Sequence, residues 1–296
     1  MRLLMPALCA ALIASPVAAQ QVVLPPSDAN VKNIVPAKNA VIDRVAEWQD
    51  GGAIRIALGK DADAAPATAS KYEQKRFIWP TGEMRVLHFK KGTPVLHQVT
   101  FETEMYVVEG TAEVGVNGKP VKIGPGDAVF MPSGALTNKK LSGDLTVVLW
   151  NVGVTSKDPK AKLVRGADVK STSSASWVEN GKSMNANKPE DLKKAPPTAA
   201  RWSTKRYEFD GNSIRVATFA KSGRSGDGKS TTDALIYVAK GKLGRQEGEE
   251  KGVLEAGDGL REQTGLSGYW EGLDNSIFIA TSAPMPAGFA PTKPIK

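Results

Sequence analysis

The chain repeats itself. Tyr106-Val107, Gly110, Gly126-Asp127 and Gly134 recur as Tyr237-Val238, Gly241, Gly257-Asp258 and Gly265, each 131 positions later and without a gap. Upstream, Lys75-Arg76, Arg85-Val86 and Phe89 recur as Lys205-Arg206, Arg215-Val216 and Phe219 at an offset of 130, so one insertion falls between Phe89 and Tyr106. The repeated glycines mark backbone positions, where a turn needs positive φ or a close approach. Turns that persist while side chains drift are what a duplicated domain leaves behind, and 296 residues are enough for two domains.

Between the glycines lie short apolar or alternating runs, such as Arg85–Phe89, Met105–Val108, Ala112–Val116, Ala128–Met131 and Leu145–Trp150. Runs of this length, spaced by about ten residues and split by Gly and Pro, indicate an all-β sandwich or barrel. Asn117-Gly118 is the strongest hairpin signal, because both residues tolerate positive φ. Gly124-Pro125-Gly126-Asp127 is a second turn. Trp79, Phe101, Tyr106, Phe130, Met131 and Trp150 are expected in the core. Residues 20–71 read as an N-terminal arm and loop. Residues 154–200, rich in Lys, Ser, Asn, Pro and Ala, read as an irregular connector, and 286–296 as a tail.

Met1-Arg2, an apolar run to Ala14, and Ser15-Pro16-Val17-Ala18-Ala19 have the layout of a secretory signal peptide cut after Ala19. The expected location is therefore periplasmic or secreted. Cys9, the single cysteine, leaves with residues 1–19, which removes disulfide frameworks and Cys-based zinc sites from consideration. No later run of 18 apolar residues offers a membrane span. The net charge of +8 is carried by scattered lysines and reads as a solvated basic surface, with no nucleic-acid partner in that compartment. Phosphate-binding Gly-rich loops, nucleophile elbows and HExxH patterns do not occur.

The segment from Gly92 through His97, Val99, Glu102, Thr103 and Glu104 to Gly110 resembles the first motif of the cupin superfamily. That motif carries a His-x-His pair and a Glu before a closing Gly. Gly126 through Pro132, Gly134 and Thr137 to Asn138 resembles the second, which carries a further His. The duplication resembles a bicupin. The resemblance implies two tandem antiparallel jelly-roll barrels, at 72–153 and 201–285, joined by the connector.

The family's metal is held by three histidines and a glutamate. Here His97 matches the first histidine, while Val99, Thr103 and Thr137 stand at the other three positions. The corresponding positions of the second copy are Gly228, Ser230, Ala234 and Gly268, none of them a ligand. A transition-metal site needs three or four converging donors, so no metal cofactor is expected. The alternative is one divalent transition-metal ion in the N-terminal barrel, held by His97 with Glu102 or Glu104. In the family register Val99 and Thr103 face inward with His97, and a bulge is needed to turn a glutamate in.

Two functional readings follow. One is a bicupin that binds a small sugar or carboxylate in the N-terminal barrel cavity, lined by Val99, Glu102, Thr103, Tyr106, Met131 and Thr137. The other is a cupin enzyme, an isomerase, lyase or oxygenase, with His97 and Glu104 as acid and base. The second barrel, stripped of ligand positions, reads as a packing partner that shields the first or completes a homodimer. His88 reads as a strand residue with an ordinary hydrogen bond, and Arg85 and Arg215 as structural partners of carboxylates.

Overall fold

In the computed structural model, which describes residues 33–282 apart from 81, 93–94, 100, 142, 154–157, 181, 210, 227 and 231, the repeated glycines occupy matching turns. Gly110 and Gly241 have φ of 83° and 75°. A Cβ on either would collide with a backbone carbonyl oxygen, of Asp144 and Asn275 respectively. Asn117 and Gly118, at φ 51° and 74°, form the expected tight hairpin between strands Ala112–Val116 and Lys119–Ile123. The expected signal peptide with Cys9, and the tail, lie outside the described residues.

The fold is all-β, with two equivalent sets of sheets. The first eight-stranded sheet runs in the order Lys162–Val164, Ala128–Met131, Thr103–Glu109, Leu145–Asn151, Gly82–Phe89, Ser70–Trp79, Val41–Asp50, Ala53–Leu58. The second runs Ile34–Val35, Gly259–Glu262, Ala234–Lys240, Ser276–Thr281, Ser213–Phe219, Ala200–Glu208, Ser171–Glu179, Lys182–Ala186. A four-stranded sheet faces each and closes a barrel. Every described pairing is antiparallel.

Two segments depart from the sequence expectation. The arm and the connector both carry paired strands. Residues Val41–Asp50 and Ala53–Leu58 form a hairpin that extends the first barrel, as Ser171–Glu179 and Lys182–Ala186 extend the second. The repeat thus begins earlier than its glycines suggest. Ala65-Pro66-Ala67-Thr68-Ala69 recurs as Ala195-Pro196-Pro197-Thr198-Ala199, and in both the last alanine N–H donates to the first proline carbonyl at 2.9 Å.

The halves also exchange their leading strands. Ile34 and Val35 pair with Leu260 and Gly259 of the second barrel, while Leu163 and Val164 pair with Val129 and Ala128 of the first. The aspartate of each Gly-Asp pair anchors the visiting segment: Ala37 N–H donates to Asp258 at 2.7 Å and Gly166 N–H to Asp127 at 3.0 Å.

The outer faces of the two large sheets pack together. Phe77 meets Tyr237 with ring centres 6.3 Å apart, and the equivalent Tyr106 meets Tyr207 at 5.7 Å. This seam explains why central strands such as Leu145–Asn151 are buried at almost every position rather than alternating. One face fills the barrel and the other meets the second barrel. Residues Trp79, Tyr106, Phe130 and Trp150 belong to the seam cluster, and Met131 to the barrel interior.

Candidate functional site

Inward-facing residues of the first barrel are mostly large and apolar. Leu87, Phe89, Val99, Met105, Val107, Val129, Met131 and Leu149 form one buried cluster. Its polar end is a closed ion network. Arg76 donates to Asp43 at 2.5 Å, and Gln74 to the same oxygen at 3.2 Å. Glu83 lies 3.8 Å from Arg76 and 3.7 Å from Arg85. Arg85 also donates to Asn151 at 2.9 Å, with the Thr103 hydroxyl 3.4 Å from that same oxygen.

The residues expected to form a site do not all converge. Val99, Thr103 and Met131 are buried on the inner side. Glu104 and Tyr106, which alternate with Thr103, Met105 and Val107, lie at the seam instead. Glu104 is fully buried there and accepts a 2.6 Å hydrogen bond from Thr281 of the second half, while its other oxygen has no hydrogen-bond partner. Burial lifts its pKa to about 7, against the lowering effect of the Thr281 bond. No bulge turns it inward, because the strand pairs in continuous register from Thr103 to Tyr106. Tyr106 packs on Tyr207. Glu102 is half-buried, and its carbonyl accepts from Val152 N–H at 2.8 Å. His97 and Thr137 are directly opposite in backbone register, but their side chains lie outside the described residues. His88 bonds Thr146 at 3.1 Å, as expected of a strand residue.

The second barrel is built differently on the same backbone. Gly228 pairs with Gly268 as His97 pairs with Thr137, so the register itself confirms these as equivalent positions. Inward positions held by Leu87, Thr103 and Leu149 become Ala217, Ala234 and Ala280. The lost volume leaves a cavity of about 280 Å³, lined in part by Gly228, Ser230, Ala234 and Gly268. Trp202, Phe219, Trp270 and Phe278 give it aromatic walls.

Val114 and Met131 of the first barrel correspond to Arg245 and Glu262 of the second. Arg245, 5% exposed, donates from Nη2 to Glu262 at 2.8 Å, and its guanidinium lies 5.0 Å over the Trp270 ring. Arg215 reaches the same carboxylate only at 3.7 Å. The Nε atoms of both arginines are buried without a hydrogen-bond partner. Sequence reading missed this site because it followed the family's ligand positions. The available signal was parity: Arg245, two residues from the inward Leu243 on one strand, puts charge where the first barrel has Val114.

A metal does not fit the described donors. Among the described residues no group of three or more His, Cys, Asp or Glu could hold one. In the second barrel, a side chain at Gly268 would collide with the Gln246 carbonyl oxygen and crowd Arg245 Nη1. The guanidinium thus occupies the surroundings of the family's last histidine.

Known proteins show the same architecture. Residues 85–139 match the model of a cupin domain. No curated protein matches. Among solved structures, Ylba from E. coli is 12% identical, with TM-score 0.52 over 72% of this chain and 82% of that one. A putative glyoxylate induced protein from Pseudomonas aeruginosa is 13% identical, with TM-score 0.52 over 71% and 79%. HEPD from Streptomyces albus, solved with 2-hydroxyethylphosphonate and Fe(II) bound, is 8% identical, with TM-score 0.56 over 86% and 76%. Identities this low establish the fold alone.

Proposed function

With a cupin domain in the first barrel and the cupin fold in both as the premise, we propose that this chain is a secreted or periplasmic protein that binds a small organic molecule without a metal ion, and that the ligand enters the second barrel. The observation that carries the reading is the 280 Å³ cavity where the family's ligand positions have become Gly228, Ser230, Ala234 and Gly268. A concave pocket with aromatic walls and convergent polar groups is a common form of small-molecule site. The first barrel then serves as the packed half. This relocates the binding expected from the sequence, which placed it around Val99, Thr103 and Met131.

A thermal-shift screen of small sugars and acids tests it. Ala217→Leu installs the first barrel's Leu87 side chain in the cavity and abolishes the shift given by any true ligand. A hit that survives Ala217→Leu but is lost in His97→Ala would move the site to the first barrel.

The second reading, an enzyme using His97 with Glu102 or Glu104 and a divalent metal, draws on the Fe(II) held by the HEPD neighbour. Against it stand the seam position of Glu104 and the small number of described donors. Stoichiometric metal in the purified chain would favour it. Sequencing the N-terminus of the exported form tests the cut after Ala19.

A further inference from the structure

The equivalent arginines of the two halves have different partners. In the first barrel Arg85 is matched by Glu83 and Asn151. In the second, the same positions hold Ser213 and Ser282, which are too short and uncharged to serve Arg215. The copy of Asp43 is Thr172, by its pairing with Thr204 where Asp43 pairs with Gln74. The copy of Glu83 has gone and the arginine has stayed, with Glu262 at 3.7 Å in place of Glu83 and Asn151.

Among the described residues lining the cavity, Arg215, Arg245 and Lys229 face one carboxylate, Glu262. Glu247, 4.0 Å from Arg245, is the next nearest, and its own carboxylate accepts from Gln263 N–H at 3.4 Å. Both arginines keep a buried Nε–H without a partner, which is costly to leave unmatched, although the Arg215 side chain as a whole is partly exposed. Guanidinium groups pair with planar oxyanions through fork geometry. Around them Trp202, Trp270, Phe219 and Phe278 offer flat apolar surface.

We propose that the second barrel is a carboxylate site, in which Arg215 and Arg245 stand where the family keeps a metal, and that its ligand is a small organic acid with a flat ring or chain. The acid's carboxylate completes the ion network that Glu83 and Asn151 close in the first barrel, and its apolar part lies against the aromatic walls. This rests on the reading of the cavity as a binding site.

The test compares charged and neutral probes on the purified full chain by titration calorimetry: benzoate with benzamide, and glucuronate with glucose. At least one acid binds, about tenfold or more tighter than its neutral partner. Arg215→Gln weakens that acid by ~10- to 100-fold, the loss expected for a hydrogen bond to a charged group. The pair Ser213→Glu with Ser282→Asn, which gives Arg215 the partners of Arg85, weakens it to a similar extent while keeping the arginine.

A ligand-free readout runs beside these. Arg215→Met costs less stability than Arg85→Met, because Arg215 is partly exposed and gives up only a 3.7 Å contact with Glu262, whereas Arg85 leaves a closed network. Equal losses in both would overturn the proposal. If neutral probes bind as well as acids, and Ala217→Leu still blocks them, the carboxylate assignment falls and the binding reading stands. If no probe binds and Ala217→Leu changes no ligand response in the wider screen, both fall.

Discussion

The two barrels share a backbone and differ in what fills it. Strand order and register are the same in both halves, as are the turn glycines Gly110 and Gly241, Gly126 and Gly257, and Gly134 and Gly265. Inside, the first is closed by apolar side chains and a matched ion network, and the second is opened by alanines and given two arginines around one glutamate. Duplication relaxes the demand that both copies do the same work. One copy kept its packing, which holds the seam and the exchanged strands, and the other was free to trade core volume for a cavity. Core positions tolerate this only where the remaining contacts still close the barrel.

The contrast is sharpest in the ion network. Asp43→Ala removes the nearest carboxylate of the buried Arg76, leaving Glu83 at 3.8 Å, and lowers stability by about 3 kcal/mol, while Thr172→Ala at the equivalent exposed position changes it by less than ~0.5 kcal/mol. Urea denaturation of both variants decides it, and equal losses would break the comparison. Packing gives the next effect. Leu87→Ala empties a filled interior and costs about 2–5 kcal/mol. The reverse change, Ala217→Leu, enters an existing cavity and costs under ~1.5 kcal/mol. A loss above ~3 kcal/mol for Ala217→Leu would mean the second barrel is already full.

Glu104 joins the halves and makes the seam pH-dependent. The unfolded carboxyl ionises near 4.5 and the folded one near 7, because burial disfavours the charge. The folded state therefore holds a proton that the unfolded state releases, and stability falls as pH rises from about 4.5 to about 7, then levels off. Glu104→Gln flattens that slope and, at pH 8, stabilises the chain by up to about 3 kcal/mol. Denaturation series at pH 5, 6, 7 and 8 check the slope, and an unchanged slope in Glu104→Gln would place the titration elsewhere. The smallest effect is the control. Gly118→Ala, at φ 74° in the first hairpin, costs roughly 1 kcal/mol, while Glu249→Ala at the equivalent turn position of the second, where the φ is not positive, changes stability by less than ~0.5 kcal/mol. Equal losses would break that contrast.

Much of this was legible in the residues. The all-β class, the Asn117-Gly118 hairpin and the duplicated turns are local signals, and each is present in the structure. The inward setting of Val99 and Thr103 followed from strand alternation. The paired strands of 171–186 were missed because Ser, Asn and Lys dominate there, whereas in 41–58 the strand formers Val41, Ile42, Val45, Ile54 and Ile56 were a signal overlooked beside the turn-rich arm; both segments bury small alanine clusters, such as Ala46, Ala62 and Ala69, which carry little hydrophobic contrast. The cavity was missed for the opposite reason. An empty space has no residue of its own, and Ala217, Ala234 and Ala280 look unremarkable until the walls they fail to fill are brought together.

By itself the sequence determined where the chain turns and that it does so twice, because positive φ and close backbone approach leave glycine as the fitting residue whatever surrounds it. Only the tertiary structure decided that each half lends its first strand to the other, that Glu104 meets Thr281 across the seam, and that two arginines share one glutamate. These are contacts between residues far apart in sequence. Their energies depend on burial and on unmatched charge, which exist only once the chain has closed on itself.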